Sequence, residues 1–279
     1  MHTTSIKELK LIANTLRQNI IKMLYKAKSG HTAGPLGMAD IFTALYFHHL
    51  NVYPKKPKHP DRDLLVLSNG HICPVLYAAM AKKGFFPKKE LLTFRQTGSR
   101  LQGHPHRESL PGLETSSGPL GSGLSQAAGM ALALKKDGKK NKVVCVTSDG
   151  EHQEGNTWEA VMFAEKYALD NLTVIVDRNR IQIDGFTEEI MPLKSLREKY
   201  ASFGWGTIEI NGNNMKDILT ALHISMKPRK HALVIIAHTT PGKGVSFMEN
   251  KYEWHGKPPS EEEAVRALEE LEEQRRHLE

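Results

Sequence analysis

KVVCVTSDGEHQEG at residues 142–155 and LTVIVDRNRIQIDG at 172–185 set the architecture of this chain. Each begins with a short, continuous apolar run rich in β-branched residues, the pattern of a strand buried on both faces. A helical pattern at about 156–168 separates them. A strand–helix–strand unit of about 30 residues brings the chain back to the same sheet edge, with the two strands parallel. Asp149 and Asn179 then emerge beyond the carboxyl ends of neighbouring strands, where open α/β sheets bind ligands.

The rest of the chain extends this pattern. Further short apolar runs at 64–67, 205–210 and 232–237 read as buried strands, and helical patterns at about 71–83, 123–136, 193–203 and 214–225 alternate with them. Apolar positions Ile6, Leu9, Ile12, Leu16, Ile20 and Met23 predict an amphipathic helix over about 5–28, and a second apolar helix follows at about 38–49. Ser260 with Glu263 three residues on is a capping box for a C-terminal helix at about 260–277, with Val265, Leu268 and Leu271 as its apolar edge. The stretch 98–122, rich in Gly, Ser, Pro and His, reads as a long loop that is either functional or disordered. The expectation is one α/β domain over 1–279: a mostly parallel sheet with helices on both faces.

Composition narrows the function. The 279 residues include 39% hydrophobic and 25% charged side chains, which excludes a disordered, collagenous or wholly coiled-coil chain. No apolar run spans a bilayer, no secretory pattern opens the chain, and two cysteines make neither a disulfide framework nor a metal cluster. A cytoplasmic protein without a membrane partner fits best. The net charge of +7 is spread over pairs such as Lys55-Lys56 and Lys139-Lys140 rather than one aromatic-interleaved block, so it favours small anions over nucleic acid.

An Asp carboxylate, an Asn amide oxygen and a nearby backbone carbonyl form a hard-oxygen set suited to Mg²⁺ or Ca²⁺ with phosphate oxygens. Gly150 permits close approach of a phosphate, and the helix starting near Gly155 aims its amide dipoles at the same space. The same residues also fit an ordinary Asp-Gly turn and a loop asparagine, and this pair alone does not separate the two readings.

The wider text resembles a known family. SDGEHQEGNTWEA at 148–160 with VDRNRIQIDG at 176–185 is similar to the thiamine diphosphate motif of transketolases. So are SGHTAGPLGMADI at 29–41, LSNGH at 67–71, FRQTGSRLQGHP at 94–105 and TSSGPLGSGLSQAAGMALA at 115–133. Ser148 and Thr32 depart from the Gly and Pro usual in the family. The resemblance implies a thiamine diphosphate-binding fold corresponding to the diphosphate-binding half of a transketolase. It implies that Asp149 and Asn179 ligate Mg²⁺ or Ca²⁺ through side chains and Ile181 through its carbonyl. Gly150 would lie against the diphosphate, and Gly118 and Leu120 along the cofactor rings. Glu154 and Glu159 would stand at a subunit interface and link the cofactors of paired sites.

Fourteen histidines prove nothing by number, but His31, His71, His104 and His255 stand in glycine-flanked loops. Imidazole both donates and accepts, so grouped histidines can bind sugar hydroxyls and move protons near neutral pH. A zinc site built on His104 and His106 lacks acidic or thiol partners at a usual spacing. By the resemblance, His31 lines the substrate channel, His71 and His104 bind the donor ketose, and His255 lies near the diphosphate and the reacting carbon.

The resemblance also implies transfer of a two-carbon glycolaldehyde unit from a ketose phosphate to an aldose phosphate. The carboxylate that activates the cofactor's aminopyrimidine belongs to the family's next domain, so a separate C-terminal transketolase subunit would complete the site, most simply as α₂β₂. The rival readings are a 1-deoxyxylulose-5-phosphate synthase-like or 2-oxo-acid dehydrogenase alpha-like subunit, and a non-catalytic, diphosphate-binding interaction protein.

Overall fold

The computed structural model describes residues 4–279. In chain order its elements are α1 (Ile6–Ala27), α2 (Ala33–Gly37), α3 (Ala39–Ala44), β1 (Leu64–Leu67), α4 (Cys73–Lys83), α5 (Ser122–Lys136), β2 (Val143–Ser148), α6 (Gly155–Lys166) and β3 (Leu172–Asp177). They continue as β4 (Ile181–Gln182), β5 (Gly185–Phe186), α7 (Thr187–Ile190), α8 (Leu196–Ser202), β6 (Gly206–Asn211), α9 (Met215–Ser225), β7 (Leu233–His238) and α10 (Glu261–Leu278).

Five strands form a parallel sheet in the order β1-β2-β3-β7-β6. The helices bury it from both sides. Ile20, Phe42, Tyr77, Ile218 and Leu271 from α1, α3, α4, α9 and α10 pack with Val144, Ile175 and Ile235 on one face. Leu124, Val161 and Tyr200 from α5, α6 and α8 pack with Val66, Cys145 and Val174 on the other. Alternating side chains of each strand thus feed two separate cores, which is why the strand sequences run apolar without interruption. No helix among the described residues is long and apolar enough to cross a membrane.

Three local expectations are corrected. The run at 205–210 is not a fully buried strand: β6 is a sheet edge, and its residues are exposed or half-buried. The helix at 38–49 is two pieces, α3 and a single π-helical turn over Leu45–His49. Of the expected edge, Leu271 is buried and Leu268 packs on the core, but Val265 is 52% exposed and Ala264 and Ala267 are buried in its stead, because small residues let α10 lie close to α1. The capping box at Ser260 and Glu263 is formed at the start of α10.

The stretch 98–122 is held to the carboxyl end of β1 by side chains rather than by strands or long helices. Ser117 Oγ donates to Leu67 O at 2.6 Å, and Tyr77 Oη donates to Gln102 O at 2.9 Å. Ser117 N–H also donates to Pro105 O at 2.9 Å, folding the loop on itself. These bonds fix the segment beside the ends of the strands.

Helix α5 reaches the sheet through a glycine. A Cβ on Gly123 would sit 2.5 Å from Ser68 Cβ and 2.6 Å from Ser68 Cα, whereas one on Gly129 would meet nothing within 4 Å. Gly123→Ala is therefore expected to lower stability by about 1–3 kcal/mol through overpacking. Gly129→Ala should raise it by up to about 1 kcal/mol through helix propensity. Urea unfolding midpoints of the two variants check this, and equal midpoints would contradict the close α5–β1 contact.

Candidate cofactor and substrate site

Strands β2 and β3 run in register with Ser148 opposite Asp177, so the next residues leave the sheet side by side at its carboxyl edge. Asp149 is fully buried there. Its Oδ2 accepts from Arg178 Nη1 at 2.9 Å and from Arg180 N–H at 2.8 Å, and its Oδ1 accepts from Gly150 N–H at 2.8 Å. Burial pushes the Asp149 carboxyl up, against the pull of Arg178 and the two N–H donors. Asn179 has a fixed amide: Nδ2 donates to Asp177 Oδ2 at 2.8 Å, and Oδ1 accepts from Ile181 N–H at 3.0 Å.

The hairpin of β4 and β5 orients the third oxygen. Thr187 N–H donates to Arg180 O at 2.9 Å, and Ile181 pairs with Phe186 in the antiparallel ladder. Successive residues in such a ladder point their polar groups to opposite sides, so Ile181 turns its N–H and C=O away from β5, toward Asn179. Asp149, Asn179 and Ile181 thus stand just beyond the carboxyl ends of the same two strands, with a carboxylate, an amide oxygen and a backbone carbonyl among them. The donor set fits a hard divalent cation with open positions for phosphate oxygens. An added Cβ at Gly150 would meet only Gln182 Oε1, at 3.9 Å, which leaves an open approach to the backbone.

The histidines form the second half of the site. Ring centroids lie 5.0 Å apart for His31 and His71, 5.2 Å for His71 and His255, and 5.5 Å for His31 and His255. His104 is more open and adds to the same electrostatic group. Burial, first, and neighbouring histidines and Arg95 hold His31 at about 4; burial alone holds His255 at about 4, and His71 and His104 are also lowered. At neutral pH each ring is uncharged and keeps one nitrogen as an acceptor. The Nδ1 atoms of His31 and His255 are buried and have no partner within the described residues.

The loop 117–121 links the two halves. A Cβ on Gly118 (φ 146°) would lie 4.0 Å from His104 Cγ, and one on Gly121 would collide with Asn156 Oδ1 beside Glu154. Leu120 is 38% exposed on the same loop. Glu154 stands at the position just before α6 without a capping hydrogen bond from its side chain, and both Glu154 and Glu159 are exposed on the outside of the molecule. Of the sequence-derived residues, the structure brings the histidines together and sets Asp149, Gly150, Asn179 and Ile181 at one sheet edge. It leaves Glu159 apart from both groups, on the face of α6.

Three residues of this region escaped the sequence reading. Glu151 is fully buried; its Oε1 accepts from Ser68 Oγ at 2.5 Å and Gly121 N–H at 2.7 Å, and its Oε2 from Ser148 N–H at 2.9 Å. It ties the 117–121 loop to the end of β2, and its place in the Asp149-Gly150-Glu151 turn was the available signal. Arg178 bridges Asp149 and Glu188, the latter at 2.6 Å. Asn69 is fully buried with both amide atoms unpaired among the described residues, and its position in Asn69-Gly70-His71 could have marked it.

A buried oxygen set and a neutral histidine group at the carboxyl edge of a parallel sheet define a diphosphate-binding α/β domain. Comparison with known proteins gives its family. Residues 8–274 match the family model for the transketolase, thiamine diphosphate binding domain. An apulose-4-phosphate transketolase subunit of Phocaeicola vulgatus is 43% identical over 268 residues, covering 95% of this chain and 95% of that one. The 6-deoxy-6-sulfo-D-fructose transketolase subunit of a Clostridium species is 40% identical over 260 residues, covering 93% and 94%. The crystal structure of Campylobacter jejuni transketolase superposes with a TM-score of 0.90 at 36% identity, over 96% of this chain and 43% of that one. The chain belongs to the transketolase family, as a thiamine diphosphate-binding subunit that spans less than half the length of that crystallised enzyme.

The depressed histidines carry a pH signature. An unfolded histidine titrates near 6.5, and folded His31 and His255 near 4, so the unfolded chain binds more protons between these values. Their contribution to stability is full above about pH 6.5 and is lost as pH falls toward 4. Asp177, raised to about 7 chiefly by burial, acts in the opposite sense over the same interval. Replacing His31, His71 and His255 together by Gln should therefore flatten the acid loss of the urea midpoint between pH 6.5 and 4. An unchanged slope would mean the three rings bind protons equally in the folded and unfolded states, with no lowering by burial.

Proposed function

We propose that this chain is the N-terminal subunit of a transketolase. With a separate C-terminal subunit it transfers a two-carbon glycolaldehyde unit from a ketose to an aldose. The observation that carries the reading is the close packing of His31, His71 and His255, all held neutral, at the sheet edge that also presents Asp149, Asn179 and Ile181. A non-catalytic diphosphate binder has no use for such a group beside the anion site.

In this reading Asp149, Asn179 and the Ile181 carbonyl hold Mg²⁺ or Ca²⁺, and Gly150 lies against the diphosphate. Gly118 and Leu120 border the cofactor rings, and Glu154 faces the paired site across a subunit interface. Thiamine diphosphate, when bound, supplies an acidic thiazolium carbon able to add to a ketose carbonyl. The protein's own residues bind and orient the sugar. A neutral imidazole accepts a proton from a donor hydroxyl while its N–H donates to a neighbouring one, and returns the proton as the acceptor is released. His31, His71, His104 and His255 share this work, and burial keeps bulk water from competing for the same nitrogens.

Leu120, Met162, Phe163 and Tyr167 are exposed large apolar side chains in or just after the segments that carry Gly118 and Glu154, and they support a partner chain there. The relatives named as single subunits of transketolases support the same division. An α₂β₂ assembly and a cytoplasmic setting complete the reading, the latter in keeping with free, buried Cys73 and Cys145. The names of those relatives specify one sugar bearing phosphate and another bearing a sulfo group, so we take the substrate here to be a sugar with a terminal oxyanion.

Asp149→Ala should abolish Mg²⁺-dependent binding of thiamine diphosphate, measured by calorimetry on the complex of both subunits. His104→Ala should retain that binding and raise KM for the donor ketose. Normal cofactor binding by Asp149→Ala would sink the metal assignment, and loss of cofactor binding by His104→Ala would move His104 out of the sugar site.

A further inference from the structure

The amide of Asn179 has two orientations of nearly equal shape, and exchanging them swaps Oδ1 for Nδ2. Only an oxygen can serve a cation, since the amide N–H₂ is a donor. Hydrogen-bond partners rather than packing therefore decide whether Asn179 is a ligand. Two partners do so here. Nδ2 donates to Asp177 Oδ2 at 2.8 Å, and Oδ1 accepts from Ile181 N–H at 3.0 Å. In the opposite orientation the amide oxygen would face a carboxyl oxygen, and the amide N–H₂ would face the Ile181 N–H. Both contacts would be repulsive. In the observed one, Oδ1 keeps a second lone pair for a cation.

Asp177 is itself fixed from two sides. It is the buried last residue of β3, paired with Ser148 of β2 and Ala237 of β7. Its Oδ1 accepts from Thr239 Oγ1, just beyond the end of β7, so one carboxyl oxygen is tied to β7 and the other to Asn179. Among the described residues no cationic side chain forms an ion pair with Asp177, whereas Asp149 has Arg178. A buried carboxyl without a counterion is unfavourable, and a strand end needs none for its own sake. Burial raises Asp177 to about 7. A proton, when present, has its place on Oδ1, because the Thr239 hydroxyl can accept as well as donate. Oδ2 stays an acceptor toward Asn179 in either state.

We propose that Asp177 is the positioning residue of the cation site, holding the Asn179 amide in the one orientation that makes Oδ1 a ligand atom. The inference rests on the reading of Asp149, Asn179 and Ile181 as the site of Mg²⁺ or Ca²⁺. Asp177 acts through Asn179 and not on the cation itself. Partners of this kind, one bond removed from a metal, orient the ligands that touch it.

The test uses the complex of both subunits, with thiamine diphosphate binding followed by calorimetry as Mg²⁺ is titrated. Asp177→Ala removes the acceptor, and the half-saturating Mg²⁺ concentration should rise about 10- to 100-fold. Excess Mg²⁺ should restore the binding. A loss that excess Mg²⁺ does not restore would mark damage to the fold and overturn the proposal. Asp177→Val, suited to a strand end, makes the same comparison if the alanine variant does not fold. Asp177→Asn removes the charge but keeps an oxygen toward Asn179, because its own N–H₂ can donate to Thr239 Oγ1. It should retain most of the Mg²⁺ affinity, and a loss equal to that of Asp177→Ala would assign the effect to charge and overturn the positioning role. Asp149→Ala separates this inference from the reading beneath it. Loss of Mg²⁺-dependent binding in Asp149→Ala with none in Asp177→Ala overturns the positioning role alone. Normal binding in Asp149→Ala removes the cation site, and the role of Asp177 with it.

Discussion

The fully buried carboxylate of Asp149 is the constraint on which the site depends. A lone charge at that depth is unfavourable, and the fold answers it with Arg178, the Arg180 N–H and the Gly150 N–H. Those partners come from the ends of two adjacent parallel strands, so the carboxylate is satisfied only when β2 and β3 are in their observed register. The same register fixes Asn179 and the β4–β5 hairpin, and thereby aims the Ile181 carbonyl. A slip of one residue would invert the faces of a strand buried on both sides and take away the Arg178 and Arg180 donors.

Glu151 extends this network to the neighbouring loop. Its two oxygens join Ser68 after β1, Gly121 in the 117–121 loop, and Ser148 at the end of β2. Gly118 of that loop approaches His104, so the anion-binding edge and the histidine group are mechanically continuous. The histidines themselves contribute by being uncharged. Three rings within 5.5 Å of one another would repel strongly as cations, and burial avoids this by lowering their proton affinity. The result is a site with acceptors and donors but little net charge of its own.

Much of the fold was legible because buried parallel strands leave continuous apolar runs: 64–67 and 172–177 coincide with β1 and β3, and the others lie within one residue. The edge character of β6 was hidden, since Ile208 and Ile210 look like core residues whether one or both faces are covered. Val265 misled for a related reason: α10 packs closely on α1, and Ala264 and Ala267 fit that approach better than a branched side chain. In the site, glycine-flanked histidines and the Asp-Gly/Asn pair stood out as local text. Glu151, Arg178 and Asn69 did not, because their importance lies in partners that are distant in sequence or, for Asn69, in having none among the described residues.

Everything above turns on these residues forming half of a transketolase site. The most direct measurement is two-carbon transfer from xylulose 5-phosphate to ribose 5-phosphate with thiamine diphosphate and Mg²⁺, using the purified chain by itself and with a C-terminal transketolase subunit. Transfer only in the presence of the second subunit is the predicted result. Turnover by the chain without it would contradict the half-site, because the activating carboxylate would then lie within these residues.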